Sequence, residues 1–208
     1  MPKNKSNRRR IAEHRNDPFV KKARETGYRS RAAYKLLEID QRDHLFRHGD
    51  TVLDLGAAPG GWSQVARERI GKGGRVIAID MLSMEPIPGV VALQGDMQDP
   101  EIQDRIVELL AEDSVRIVTS DMAPNITGSN ALDQPRSLQI AESALETAIR
   151  FLAPGGDFLV KVFQGEGFDA FVSTVRRLFT KARIRKPKAS RPASREVYIL
   201  GLGLSSSA

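Results

Sequence analysis

From residue 50 onward the chain alternates short apolar runs with amphipathic runs. Apolar runs bounded by turn residues are typical of strands, whereas apolar residues three or four apart are typical of helices. The pattern predicts strands at 51–55, 75–80, 90–95, 115–121 and 157–163, and a terminal strand pair at 181–186 and 196–203. Helices are predicted at 30–45, 61–70, about 100–111, 136–152 and 167–180. This alternation predicts an α/β fold with a parallel sheet and helices on both faces.

Three of the predicted helix boundaries carry local sequence signals. Ser30 is a candidate N-cap for the helix that precedes the first strand. Asp99-Pro100 is a second start signal, with a capping side chain followed by proline at the first helical position. Pro154-Gly155-Gly156 is expected to end the helix over 136–152.

The turn after the first predicted strand, DLGAAPGG at 54–61, has the features of a cofactor loop. Ligands of doubly wound sheets bind outside the carboxyl ends of the strands, where this turn must lie. Its glycines permit positive φ and close backbone approach, and its G-x-x-x-G-G spacing with a proline favours a ligand smaller than a dinucleotide. A tight turn without a ligand is the simpler alternative. The candidate cofactor-binding residues in this turn are Asp54, Gly56, Pro59 and Gly60.

Two acidic residues follow the next two predicted strands. Asp80 ends the second strand, where a carboxylate can accept hydrogen bonds from the hydroxyls of a ribose. Asp96 follows the third strand, where it could accept a hydrogen bond from an adenine amino group. Either residue alone would more often be a cap or turn residue. Together with the glycine loop, they have the layout of an S-adenosylmethionine site.

Four charged residues are candidates for catalysis because of where the pattern places them. Lys161 lies in the apolar strand DFLVKVF, where desolvation makes a charged amine costly and a proton acceptor plausible. Asp121 ends the strand VRIVTSD, Glu196 opens the final strand, and Lys35 lies on the helix before the sheet. Structural alternatives stay open for all four: a snorkelling lysine, a capping aspartate, a rim glutamate and a solvated helical lysine.

Charge is distributed unevenly along the 208 residues, whose net charge is +6. Residues 1–35 hold 12 Lys/Arg against 3 acidic residues, residues 36–180 hold 13 against 22, and residues 181–208 hold 7 against 1. An acidic centre with two basic ends favours a polyanionic partner. The chain has no cysteine, which excludes a disulfide framework, a thiolate zinc site and a cysteine nucleophile.

The chain resembles the FtsJ/RrmJ (RlmE) family of ribosomal RNA 2′-O-ribose methyltransferases. The similar stretches are YRSRAAYKLLEI, VLDLGAAPGGWSQV, SDMAPN, LAPGGDFLVKVFQGEGFD and RKPKASRPASREVYI, spread over about residues 28–200. The resemblance implies a Rossmann-like S-adenosylmethionine-dependent methyltransferase fold. Its sheet would have seven strands, mostly parallel, with an antiparallel terminal strand.

The resemblance also implies roles for individual residues. The family's catalytic set would fall on Lys35, Asp121, Lys161 and Glu196, with Lys161 as the proton acceptor. Its cofactor contacts would fall on Gly60, Trp62, Asp80, Asp96 and Asp121. The cofactor would be S-adenosyl-L-methionine, its product S-adenosyl-L-homocysteine, and no metal would be required.

RNA contacts are expected from the basic ends. Lys and Arg side chains there would bind phosphates, and Tyr28 and Tyr34 would either stack on bases or pack inward. The candidate RNA-binding residues are Arg29, Arg31, Lys35, Arg191 and Arg195. We expect a basic, flexible RNA-contacting segment at 1–27 and a single methyltransferase domain at 28–208.

The resulting hypothesis is methyl transfer to a ribose 2′-hydroxyl, that of a uridine, in 23S-type ribosomal RNA of the assembled large subunit. We expect a cytoplasmic protein, since the basic first ten residues lack the apolar stretch of a secretory signal. We also expect a monomer that does not contact a membrane. Two alternatives stay open: a transfer-RNA 2′-O-ribose methyltransferase, and a non-catalytic RNA-binding ribosome assembly factor.

Overall fold

A computed structural model describes residues 17–111, 113–124, 130–191 and 194–206. Its strands form one sheet with the spatial order β3-β2-β1-β4-β5-β7-β6. The strands are β1 (Thr51–Leu55), β2 (Arg75–Asp80), β3 (Val90–Gln94), β4 (Val115–Ser120), β5 (Leu152–Phe163), β6 (Phe179–Arg185) and β7 (Glu196–Leu204). The first five pair in parallel with one another, whereas β7 pairs antiparallel with both β5 and β6. The predicted mostly parallel sheet of seven strands is therefore confirmed.

Helices cover both faces of the sheet. They are α1 (Pro18–Glu25), α2 (Ala33–Asp43), α3 (Gly61–Ile70), α4 (Pro100–Leu110), α5 (Asn130–Phe151) and α6 (Phe168–Leu178). Buried residues of α2 and α3 share one apolar cluster with one face of the sheet, and those of α4, α5 and α6 share a second cluster with the other face. Among the described residues, no helix is both long enough and apolar enough to cross a membrane.

Some element boundaries differ from the sequence predictions. The helix expected to open at Ser30 begins at Ala33, because residues 30–32 form a turn in which the Ser30 carbonyl accepts from the Ala33 amide. Pro154-Gly155-Gly156 does not end a helix but lies within β5, at a place where the pairing with β4 shifts register. The cap at Asp99 is confirmed, since its Oδ1 accepts from the Glu101 amide at 3.0 Å.

The amino-terminal segment predicted to be flexible over 1–27 contains a packed helix. Residues 1–16 lie outside the described residues, but α1 begins at residue 18 with Asp17 as its N-cap. Ala23 of this helix is buried against Tyr34 and Ala189, and Asp17 forms an ion pair with Arg31. Apolar contacts and an ion pair therefore join residues 17–27 to the residues that follow.

Helix α2, which carries Lys35, is attached to the sheet at its carboxyl end. Asp43 accepts hydrogen bonds from Arg183 Nη1 at 2.5 Å and from Arg185 Nε at 2.7 Å, both on β6. Burial would raise the pKa of Asp43, but the bonds from the two arginines outweigh it and hold that pKa below its ordinary value. This partly buried ion cluster joins the helix to the strands and thereby helps to fix the position of Lys35.

Candidate active site

The glycine loop leaves β1 and enters α3 at the carboxyl edge of the sheet. Gly56 has φ of 69° and Gly60 has φ of 106°, in the left-handed region that side chains rarely adopt. A Cβ on Gly60 would lie 2.7 Å from Ile87 Cδ1 and 2.8 Å from Met84 Sδ. Both positions therefore require glycine, as the sequence pattern indicates.

A cavity of about 200 Å³ lies beside this loop. It is lined by the loop itself, by the carboxyl ends of β2 and β3, and by the segment that follows β2, including Ala57, Ala78, Asp80, Met84 and Leu93. The combination of apolar walls with one carboxylate is typical of a pocket for a small organic ligand. Its position is the one expected for a ligand of a doubly wound sheet.

Asp80 connects the two segments that border this cavity. Its Oδ2 accepts from the Ala58 amide in the glycine loop at 2.9 Å, and its Oδ1 accepts from the Leu82 amide at 2.8 Å. Each carboxylate oxygen has a second lone pair, so the group can still accept hydrogen bonds from a ligand. Asp96 is exposed in the turn after β3, where its Oδ1 accepts from the Gln98 amide at 2.9 Å.

Asp54 lies beneath the glycine loop and is only 1% exposed. Its two oxygens accept from Ser63 Oγ at 2.6 Å and from Thr119 Oγ1 at 2.9 Å. Both carboxylate oxygens are thus engaged with the protein, so Asp54 joins α3 and β4 to the end of β1. Burial raises the pKa of Asp54 to about 7, against the hydrogen bonds from Ser63 and Thr119, which act in the opposite direction.

Replacing Asp54 by asparagine is expected to change how stability depends on pH. With a folded pKa of about 7 and an ordinary value of 3.8, the folded protein retains a proton that the unfolded chain releases between those pH values. Stability therefore falls as pH rises through this window, by up to about 4 kcal/mol for a shift of this size. Thermal unfolding at pH 5 and pH 8 should show a smaller loss in Asp54→Asn than in the parent protein.

The matched control for this experiment is Asp104→Asn, at an exposed aspartate on α4. It should retain the parent protein's difference between pH 5 and pH 8. An Asp54→Asn variant with the same pH dependence as the parent would contradict the assignment of a buried proton to Asp54.

The structure brings the four candidate catalytic residues into one cluster at the carboxyl edge of the sheet. Lys161 Nζ lies 3.0 Å from Asp121 Oδ1, and Lys35 Nζ lies 2.7 Å from Glu196 Oε1. Lys35 Nζ also lies 3.7 Å from the same Asp121 oxygen, which joins the two pairs. The two lysines are 6% and 7% exposed. They are thus not the snorkelling or solvated residues of the structural alternatives.

The strand arrangement explains why these residues meet. Asp121 follows β4 and Lys161 lies near the end of β5, so both reach the carboxyl edge of parallel neighbours. Because β7 runs antiparallel to β5, its first residue, Glu196, pairs with Phe163 at that same edge. Lys35 lies on α2, which packs on the face of the sheet that carries the side chains of Tyr198 and Leu200 of β7.

Tyr198 is a member of the cluster that the sequence interpretation missed. Its hydroxyl accepts from Lys35 Nζ at 2.8 Å and donates to Asp121 Oδ1 at 2.6 Å. Burial, together with Asp121 and Glu196, raises the pKa of Tyr198 well above its ordinary value, so the hydroxyl stays a donor. The sequence did contain a signal for Tyr198: residues two apart in a strand lie on the same face, so Tyr198 shares the face of Glu196.

Asp121 is the electrostatic centre of the cluster. Burial would raise its pKa, but Lys161 and Lys35, together with the hydrogen bond from Tyr198, outweigh burial and hold the pKa below its ordinary value. Asp121 is therefore an ionised acceptor throughout the physiological range. Its main-chain carbonyl also accepts from Lys161 Nζ at 2.5 Å.

Trp62 and the two tyrosines near the amino terminus are mostly engaged within the protein. Trp62 is buried and donates from Nε1 to the Ala32 carbonyl at 2.8 Å, with its ring 5.7 Å from that of Tyr198. Tyr34 is buried against α1, and the Tyr28 hydroxyl donates to Glu68. Tyr34 therefore packs inward, which is the alternative to base stacking.

The predicted RNA-binding arginines occupy two kinds of environment. Arg29 and Arg31 bind main-chain carbonyls of the protein, Arg29 at Pro59, Glu85 and Pro86, and Arg31 at Ala189. Arg191 and Arg195 are exposed near the start of β7. Within the basic ends, these two are therefore better placed to meet a phosphate than Arg29 or Arg31.

A doubly wound sheet with a glycine loop after β1, acidic residues after the next strands and a lysine–carboxylate cluster at the same edge defines an α/β enzyme of the methyltransferase class. Residues 28–204 match the model of the FtsJ-like methyltransferases, and the chain belongs to that family. The resemblance noted from the sequence is thereby confirmed.

Curated relatives are similar over nearly their whole length. The chain is 52% identical over 203 residues to the ribosomal RNA large subunit methyltransferase E of Pseudomonas fluorescens, covering 98% of this chain and 97% of that protein. It is 53% identical to the protein of the same name from Marinobacter nauticus, covering 98% of each chain. A solved ribosomal RNA methyltransferase from Plasmodium falciparum superposes with a TM-score of 0.76 at 30% identity, over 85% of this chain and 98% of that one.

Proposed function

We propose that this protein transfers a methyl group from S-adenosylmethionine to a ribose 2′-hydroxyl in ribosomal RNA of the large subunit. The observation that carries the proposal is the buried cluster of Lys35, Asp121, Lys161 and Glu196 at the sheet edge that also holds the glycine loop. The names of the curated relatives support the RNA substrate. The acceptor is proposed to be a uridine in the assembled subunit.

The residues around the cavity fit an S-adenosyl cofactor. Close approach of the backbone at Gly56 and Gly60 and the carboxylate of Asp80 suit a ribose-bearing ligand, and Asp96 is exposed at the end of β3. Pro59 lies in the same loop, Trp62 lies in the first turn of α3, and Asp121 follows β4, the neighbour of β1, while Asp54 lies beneath the loop. When bound, S-adenosylmethionine supplies an activated methyl group on a sulfonium, and S-adenosylhomocysteine is the product.

The protein's own residues position the acceptor hydroxyl and manage its proton. A ribose hydroxyl is a weak nucleophile at neutral pH, so a nearby base that takes its proton accelerates the transfer. Lys161 is the proposed proton acceptor. Asp121 orients Lys161 through a carboxylate oxygen and its main-chain carbonyl, and Glu196 orients Lys35. The remaining contribution is alignment of hydroxyl and methyl group, which holding both reactants in place supplies.

RNA is proposed to approach over the start of β7 and the preceding basic stretch. Arg191 and Arg195 are exposed there, and Lys35 lies in the cluster below. Residues 181–195 contain seven Lys/Arg and no acidic residue, so contacts to phosphates would dominate the affinity without specifying a base. This arrangement suits an enzyme whose target is presented by a folded RNA or particle.

The test is methyl transfer from labelled S-adenosylmethionine to free ribosomal RNA, large subunits and transfer RNA, all from cells that lack this enzyme. We expect label on the large subunit, resistant to alkaline cleavage at one position because the 2′-hydroxyl is blocked. Label on transfer RNA alone would favour the alternative substrate. Label on a base would overturn the reaction type, and no label with any RNA would favour a non-catalytic assembly factor.

A further inference from the structure

Arg29 lies in the basic segment predicted to contact RNA, yet its guanidinium binds the protein itself. Nη1 donates to the Pro59 carbonyl at 3.1 Å and to the Glu85 carbonyl at 2.5 Å, and Nη2 donates to the Pro86 carbonyl at 2.7 Å. The three acceptors belong to two separate segments, the glycine loop and the stretch after β2. One planar side chain thus joins two segments that border the cofactor cavity.

The stretch after β2, residues 81–89, forms one wall of that cavity. Leu82, Ser83 and Met84 line it, and Met84 and Ile87 approach Gly60 so closely that a Cβ there would clash with both. We call residues 81–89 the roof segment. Met81 and Leu82 are 70% and 69% exposed, so little apolar packing holds the beginning of this segment in place.

The roof segment is attached to the body by polar contacts at its two halves. At its beginning, Asp80 accepts from the Leu82 amide, and Gln94 Nε2 donates to the Met81 carbonyl at 3.2 Å. Near its middle, Arg29 binds the Glu85 and Pro86 carbonyls, beside the place where Met84 and Ile87 approach Gly60 of the glycine loop. Breaking the Arg29 contacts would therefore remove hydrogen bonds from the half that covers Gly60 and leave it held there by the apolar contacts of Met84 and Ile87.

Arg29 is itself held firmly enough to act as an anchor. Its amide donates to Gln64 Oε1 on α3 at 2.8 Å, and Gln64 Nε2 donates to the Gly27 carbonyl at 3.1 Å. The next residue, Ser30, lies so close to Gly61 that a Cβ on that glycine would be 2.3 Å from its Oγ. The segment around Arg29 is thus packed on the first turn of α3.

We propose that Arg29 is a positioning residue that fastens the roof segment over the cofactor cavity, so that it controls retention of cofactor and product rather than binding of RNA phosphate. The inference rests on the proposed function, since it takes an S-adenosyl compound as the occupant of the cavity. Arg29 acts through main-chain carbonyls, and its loss should leave the Lys161 cluster intact.

The experiment compares Arg29→Ala, Arg29→Lys and the control Arg24→Ala. Cofactor binding is measured without RNA, and turnover and the salt dependence of RNA affinity are measured separately. Arg24 is an exposed arginine of the same basic segment, so its variant removes the same charge. Affinities for S-adenosylmethionine and S-adenosylhomocysteine are measured by calorimetry. Product dissociation is followed through the fluorescence of the single tryptophan, Trp62.

Arg29→Ala should weaken both ligands about tenfold, as expected for loss of several hydrogen bonds from a charged donor, mainly by faster dissociation. Arg29→Lys should restore part of the affinity, because an ammonium group can bind one carbonyl but not the forked set. Amide hydrogen exchange of residues 81–89 should accelerate in Arg29→Ala, accelerate less in Arg29→Lys and stay parental in Arg24→Ala. At saturating cofactor, turnover should stay within about twofold of the parent protein.

The competing outcome is readily distinguished. An Arg29→Ala protein with parental cofactor affinity and parental exchange at 81–89, but weaker RNA binding and a smaller salt dependence, would overturn the proposal and make Arg29 a phosphate contact. Failure of the parent protein to bind either S-adenosyl compound would instead refute the proposed function. Thermal unfolding of each variant verifies that the fold is retained.

Discussion

Lys161→Ala is expected to reduce methyl transfer by about a thousandfold or more while leaving S-adenosylmethionine affinity within a few-fold. A positioned general base contributes roughly 10²–10⁴ in rate, and Lys161 is the buried amine proposed for that role. Its Nζ contacts Asp121 at two oxygens, so the amino group is held at one place at the carboxyl edge of the sheet. Turnover is measured with saturating RNA and cofactor, and affinity by calorimetry.

Two further variants separate chemistry from packing in this experiment. Lys161→Met keeps the apolar stem within β5 and removes only the amine, so it should be as inactive as Lys161→Ala. Lys181→Ala removes an exposed lysine of β6 and should retain parental activity. Near-parental turnover in Lys161→Met would exclude Lys161 as the proton acceptor.

Asp121→Asn should both destabilise the protein and inactivate it. Removing one partner of a buried ion pair typically costs about 3–5 kcal/mol, because the remaining charges stay buried without compensation. In this variant, Lys161 would lose the carboxylate that it contacts, and Lys35 would keep only its contact with Glu196. The expected fall in the unfolding temperature is roughly 6–20 °C for a domain of this size.

The pH dependence of stability supplies a second readout for Asp121. Because its pKa is lowered in the folded protein, ionised Asp121 stabilises the fold at neutral pH, and this contribution is lost as pH falls through the lowered pKa. Asp121→Asn should lack that part of the acid destabilisation.

The control is Asp113→Asn, whose partner Arg75 is also largely exposed. Breaking such a surface pair should change stability by at most about 1 kcal/mol. Equal effects of the two substitutions would contradict a buried ionic cluster.

The sheet and the glycine loop could be predicted because their signals are local. Apolar runs of strand length, helical spacing and turn residues are read within windows of about ten residues, and the order of strands and helices follows from them. The carboxyl ends of parallel strands share one edge, so the loop, Asp80 and Asp121 could be assigned to a common region. Two boundaries were predicted wrongly because the same residue types serve two purposes. Ser30 suits a helix cap but lies in a turn, and Pro154 suits a helix end but lies where the pairing of β5 with β4 shifts register.

The partners of individual side chains could not be predicted in this way. Arg29 and Arg31 were expected to contact RNA because of their charge, but each binds carbonyls far away in the sequence. Asp54 was expected at the ligand surface, but Ser63 and Thr119 engage both of its oxygens in the interior. In each case burial and hydrogen bonding depend on which elements pack together, and composition does not contain that information.

By itself, the sequence determined the class of fold and predicted the glycine loop and the four residues of the candidate catalytic cluster, the roles of the last through resemblance to a family. The tertiary structure alone decided that β7 lies between β5 and β6, which brings Glu196 and Tyr198 to the edge where Lys161 and Asp121 lie. It also decided that Lys35 meets Tyr198, 163 residues later in the chain. The physical reason is that strand pairing and burial are long-range properties of the folded chain, whereas periodicity and turn chemistry act between neighbouring residues.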